Sequence, residues 1–166
     1  MATTLPVPIE FRLPEGWRPA ARPDGMEAPG VAFAAVHPHA DHGFTANITV
    51  AGEVPPESAT LAGLADASAQ RLREAVGTVE VSRRREVGSV DAPALTQWLA
   101  FPAVVDGTRH DLVQSQVFLS FPDARAPRRR AVIRLALTAT AAQHDDVLEE
   151  FQEFVRTVRP DTGAGA

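Results

Sequence analysis

Two stretches of helical period enclose four consecutive segments whose side chains alternate, and that order restricts the chain to a mixed sheet-and-helix domain. The second stretch is the clearer: Val147, Leu148, Phe151, Phe154, Val155 and Val158 recur at the spacing that lines one face of a helix. The first places Leu61, Leu64, Ala65, Ser68, Leu72 and Val76 on one stripe, with Ser58 as the expected N-cap and Gly77 as the stop. Between them, residues 79–87, 94–103, 109–121 and 130–139 alternate with period two, as half-buried strands do. Gly88-Ser89, Asp106-Gly107 and the stretch from Pro122 to Pro127 punctuate them as hairpins, and Asp106-Gly107 is a type I′ turn signal. Thr140-Ala-Ala-Gln143 has capping-box spacing and opens the last helix.

Earlier in the chain, Ile9, Phe11 and Leu13 alternate as a first strand before a turn at Pro14-Glu15-Gly16-Trp17. Residues 18–30 read as a loop, residues 31–36 as a strand, and Phe44, Ala46, Ile48 and Val50 as its return. The fold class is therefore α+β: a twisted antiparallel β-sheet of six to seven strands flanked by two α-helices. A length of 166 residues suits one domain, expected over residues 7–160, with disordered ends at 1–6 and 161–166.

Composition removes several chemistries. Cysteine is absent, which excludes disulfides, thiolate catalysis and cysteine-ligated metal. Lysine and tyrosine are absent too, and all 16 basic residues are arginines. With 14 prolines and many alanines, this reads as the codon pressure of a GC-rich bacterial genome, such as an actinobacterium. A formal charge of −5 argues against a nucleic-acid partner. No apolar run is long enough to span a membrane, and the first residues lack the pattern of a signal peptide, so the expected location is cytoplasmic.

Three groups of residues are candidates for function. His37, His39 and His42 crowd one turn beside Asp41 and could converge on zinc, nickel or copper; solvated turn residues are the plainer reading. Arg83-Arg84-Arg85 and the cluster Arg125, Arg128, Arg129 and Arg130 suit an acidic partner or, more plainly, the protection of strand edges. The third group is a sheet face. With Leu95, Leu99, Phe101, Val113, Val117, Leu119, Ile133, Leu135 and Leu137 in the core, the reverse carries Trp98, Gln114, Gln116, Phe118 and Arg134. That mixture is too apolar for solvent and too polar for a dry core, so it is the candidate partner-binding surface.

No G-x-S-x-G, Walker A, H-E-x-x-H or Rossmann glycine pattern occurs. His110 and Asp111 are adjacent on a strand and point to opposite faces, which rules them out as a base and its orienting partner. No cofactor is indicated.

The motif Ile9-x-Phe11-x-Leu13-Pro14-x-Gly16-Trp17, then Phe44-x-x-Asn47-Ile48-x-Val50, then helix, four strands and a terminal helix ending Thr157-Val158-Arg159 resembles the PsbP-like superfamily. Within it the chain is most similar to bacterial DcrB-like and LpqN-type proteins. The resemblance implies an antiparallel sheet flanked by helices and a largely non-enzymatic role. The superfamily includes envelope lipoproteins, photosystem accessory proteins and Eag-type chaperones of secreted effectors. The lipobox cysteine of the lipoproteins has no counterpart here, which points to a soluble adaptor. The expected function is a protein-binding or chaperone-like adaptor in a secretion-related setting; the alternative is a metal or small-ligand binder using the histidine turn or a pocket under the 18–30 loop.

Overall fold

The computed structural model describes residues 5–20, 31–90, 92–123 and 126–160, and for 123 and 126–128 the backbone alone. The elements run β1 (Ile9–Glu10), β2 (Arg18–Pro19), β3 (Val31–Val36), β4 (Asn47–Glu53), α1 (Leu61–Val76), β5 (Glu80–Gly88), β6 (Pro93–Val105), β7 (Thr108–Asp123), β8 (Ala126–Thr140), α2 (Ala141–Thr157) and β9 (Arg159–Pro160). Seven strands form one antiparallel sheet in the order β2-β3-β4-β8-β7-β6-β5, and β1 pairs separately with β9.

The meander follows from its turns. Asp106 and Gly107 both adopt positive φ, 50° and 79°, as a two-residue type I′ turn requires, and this sets the long β6–β7 register from Val105↔Thr108 to Ala94↔Leu119. Helix α1 is capped by Thr60 rather than Ser58: the Thr60 hydroxyl accepts from the Gly63 amide at 3.0 Å. Helix α2 continues directly from β8, with the Thr140 side chain accepting from the Gln143 amide at 3.1 Å. Only that half of the expected capping box forms, because the Gln143 side chain points to the His39 carbonyl.

The two helices lie on opposite faces. Ala65 of α1 packs with Leu95, Phe118 and Val132, while Val147, Phe151 and Phe154 of α2 pack with Val117, Ile133, Leu135 and Leu137. The first segment departs from the expected strand. Leu5, Val7, Ile9, Phe11 and Leu13 do line one core, but only Ile9 and Glu10 pair as strand, since their partner is the chain end after α2 and not the main sheet. Leu5 and Pro6, expected to be disordered, lie against Gly52 of β4. Residues 1–4, 161–166 and 21–30, and with them the ligand pocket expected under the loop, lie outside the described residues.

One expectation about the faces is corrected by the register. β6 pairs Leu95 with Phe118, Gln97 with Gln116 and Trp98 with Ser115. Leu95, Leu99 and Phe101 therefore share a face with Gln114, Gln116 and Phe118, and Trp98 lies on the other side. β6 carries apolar side chains at both odd and even positions, so its alternation alone leaves the facing open, and a shift of one residue flips every side chain.

Candidate functional site

The α1 side of the sheet holds a continuous polar ladder. Arg84 Nη2 donates to Gln97 Oε1 at 2.8 Å, and Gln97 Nε2 donates to Gln116 Oε1 at 2.7 Å and to the Ala65 carbonyl at 3.2 Å. Gln116 Nε2 donates to Ser68 Oγ at 2.9 Å and Gln114 Oε1 at 2.6 Å, and Gln114 Nε2 reaches Thr138 Oγ1 at 2.8 Å. The outer end is an ion pair, Arg84 to Asp66 at 2.7 Å. At the inner end Asn47, opposite Thr138, is fully buried with both amide atoms unpartnered among the described residues.

Gln97, Gln114 and Gln116 are all buried, and Phe118 is sealed under α1 by Leu61, Ala62 and Leu64. The expected open face bearing Gln114, Gln116 and Phe118 is thus an internal seam, because α1 lies across β6 and β7 and takes up their hydrogen-bonding capacity.

Trp98 belongs to a different constellation on the α2 side. Its ring meets the edge of His144 at 4.7 Å between centroids, and the Arg83 guanidinium lies 4.5 Å from its ring centroid. His144 Nε2 hydrogen-bonds Ser115 Oγ at 2.8 Å, and both residues are buried. Burial pushes the His144 imidazole below its ordinary value, while Asp145, 3.7 Å from Nδ1, acts in the opposite direction. Sequence reasoning missed this serine–histidine pair, whose members are 29 residues apart and meet only because α2 folds back over β7. The pair lies buried between β7 and α2, beside Trp98.

Helix α2 packs mainly over β8 and β7 and meets β6 at Trp98 through His144. The open strip beyond it carries half-buried Trp98 and Thr96 of β6 and exposed Val87 and Val104, with Arg83 and Arg85 at its margin, while Leu119 and Phe121 of β7 pack against the α2-side core. A tight bulge at Arg83 (φ 53°) sends Arg83 to this face and Arg84 to the other, the opposition expected of neighbours in a strand.

The histidine turn does not converge. His37 Nδ1 pairs with the His39 backbone at 3.0 Å and its ring packs edge-on against Trp17. His42 turns instead to Asp41, 2.8 Å away. Asp41 also accepts from the Thr140 hydroxyl, which with His42 and His110 holds its carboxyl below the usual range against the opposing effect of burial. Among the described residues no group of three His, Asp or Glu side chains is placed to hold a metal ion, and the turn meets the start of α2 through the Asp41 carboxylate, which accepts from Thr140, and the His39 carbonyl, which accepts from Gln143. Arg125 and Arg128 lie outside the described side chains; Arg130 bonds Ser120 Oγ at 2.6 Å.

A cleft of about 700 Å³ opens where the approach to α1 (Pro55, Thr60, Leu61, Leu64) faces the β5–β6 turn (Val87, Val90, Pro93), with Val132 on its floor.

No protein-family model matches this sequence, and no curated protein does. Solved structures do. LpqN of Mycobacterium tuberculosis, a protein involved in cell envelope biogenesis, superposes with TM-score 0.60 at 14% identity, covering 96% of this chain and 89% of that one. The PsbP of the cyanobacterium Synechocystis matches at TM-score 0.57 and 16% identity, over 92% and 86% of the two chains. This chain has the PsbP-like fold. The Ran-binding protein Mog1p of Saccharomyces cerevisiae shares it, at TM-score 0.59 and 16% identity over 93% and 92%.

Proposed function

We propose that this chain is a non-enzymatic, cytoplasmic protein-binding adaptor whose docking surface is the open strip beside α2. The carrying observation is the state of Trp98: a large ring that contacts His144 and Arg83 yet stays only partly buried, on a strip with exposed Val87 and Val104. Tryptophan and arginine held in fixed positions are the side chains that dominate binding energy at protein interfaces. Of the sequence candidates, Trp98 alone keeps this role. Among neighbours of the same fold Mog1p binds Ran, a protein, which supports a protein partner; a secreted effector is the finer form of the reading.

A photo-reactive amino acid placed at Thr96, and as a control at Gln70 on α1, tests this in the native cell. One dominant protein adduct is expected from position 96 alone, falling about tenfold with Trp98→Ala, the effect of ~1.4 kcal/mol. Equal labelling from both positions, or an adduct indifferent to Trp98→Ala, would refute the surface. An adduct in the envelope fraction would remove the cytoplasmic part of the reading.

A further inference from the structure

Three of the four large apolar side chains exposed among the described residues gather at one opening. Val87 and Val90 line the cleft between the approach to α1 and the β5–β6 turn, and Val54 precedes Pro55 on its facing wall; Val104, the fourth, stands at the other end of β6. Val90, near the tip of the turn, is 97% exposed. Single apolar residues on a surface are ordinary, but a group of them around a concavity marks a surface that another molecule covers.

The walls of this cleft are fixed by the chain itself. Pro55 and Pro56 on one side and Pro93 on the other have φ set by their rings. The turn carrying Val90 is closed by the Ser89 amide, which donates to the Ala92 carbonyl, and by the Ala92 amide, which donates to Ser89 Oγ, each at 3.1 Å. Leu61 and Leu64 of α1 and Val132 of β8 complete an apolar interior in a space of about 700 Å³. A preformed pocket of this kind loses little conformational freedom when it is filled.

Its charges are unequal. Arg130, the cation among the described residues that line it, is engaged by Ser120, from Nε to Oγ at 2.6 Å and from Nη2 to the carbonyl at 3.0 Å. Glu57 and Glu86, on facing walls, are exposed and make no hydrogen bond or ion pair among the described residues. Arg134 and Glu53, which stand beside Val132 on β8 and β4, are of opposite sign and outside the lining.

We infer that the cleft docks an extended segment of a partner protein, with a leucine- or phenylalanine-sized side chain in the pocket and a neighbouring lysine or arginine against Glu57 and Glu86. A small ligand inside the pocket would leave Val90 and Val54 in water, whereas a chain crossing the mouth covers them. Apart from Val87 the site shares no residue with the Trp98 strip, and it does not depend on that reading.

The test selects a random twelve-residue peptide library, displayed on phage, against the full chain, and then measures the best peptide by fluorescence anisotropy at physiological salt. Enriched peptides should pair an aliphatic or aromatic residue with lysine or arginine within two or three positions. Glu57→Arg and Glu86→Arg, made together, should turn that preference to aspartate and glutamate. Val90→Ser should weaken the selected peptide about tenfold, the worth of burying one valine side chain. All three positions are exposed, so the variants keep the fold. No enrichment, enrichment without basic residues, or a peptide indifferent to Val90→Ser would overturn the site. A peptide weakened as much by Trp98→Ala as by Val90→Ser would belong to the strip and overturn it too. Self-association of the chain in sedimentation that Val90→Ser abolishes would give the cleft to a second copy in place of a partner.

Discussion

Replacing Gln116 by leucine tests whether the polar ladder under α1 holds the fold together. The change keeps roughly the same volume but deletes three hydrogen bonds, to Gln97, Gln114 and Ser68. Two of the stranded groups recover in part. Gln97 Nε2 keeps the Ala65 carbonyl at 3.2 Å, and the Ser68 hydroxyl is able to turn to the helix carbonyl four residues back. Gln114 Oε1 recovers nothing, and a buried acceptor without a donor costs ~1–3 kcal/mol. Adding ~0.5–1 kcal/mol for each of the other two bonds, and subtracting about 1 kcal/mol for the buried methyl groups, leaves a loss of about 1–4 kcal/mol. For a chain of this size that lowers the melting temperature by about 2–16 °C.

Thermal unfolding by circular dichroism and urea unfolding by tryptophan fluorescence both read this change. The double variant Gln114→Leu, Gln116→Leu should lose at least ~1 kcal/mol less than the sum of the single changes, because it removes donor and acceptor together. A loss below ~0.5 kcal/mol for Gln116→Leu, or strict additivity in the double variant, would show that the ladder is not a coupled network.

Two further outcomes are expected. His144 is held neutral in the folded chain with its imidazole below the usual value near 6.5, so its contribution is complete above that pH and falls away as pH drops through the folded value; His144→Gln should flatten the stability profile between pH 7 and 5, and parallel profiles in urea unfolding would contradict this. At Gly52 an added Cβ would lie 2.6 Å from Pro6 Cδ, so Gly52→Ala should cost ~1–3 kcal/mol and speed amide exchange at residues 5–13, whereas unchanged exchange there would count against the packing of this segment on β4.

How much of this was legible in the chain depends on how local the physics is. The helices at 61–76 and 141–157, the Asp106-Gly107 turn and the long hairpins all follow from period, capping and turn chemistry within a few residues. The likeness in element order led to the fold that LpqN, PsbP and Mog1p also adopt. What escaped was facing and pairing. β6 is apolar at odd and even positions alike, so only its register against β7 decided that Gln97 joins Gln116 while Trp98 turns to α2. His144 and Ser115 are unremarkable in one dimension and become a buried pair only through the docking of α2. The histidines of the 37–42 turn look like ligands in sequence, yet each finds a nearer hydrogen-bond or ring partner once the chain closes. Local patterns set by short-range backbone energetics thus determined the elements and their order. Which side chains meet across the sheet was decided by tertiary packing alone, since a single-residue shift costs little within a strand and exchanges its entire face.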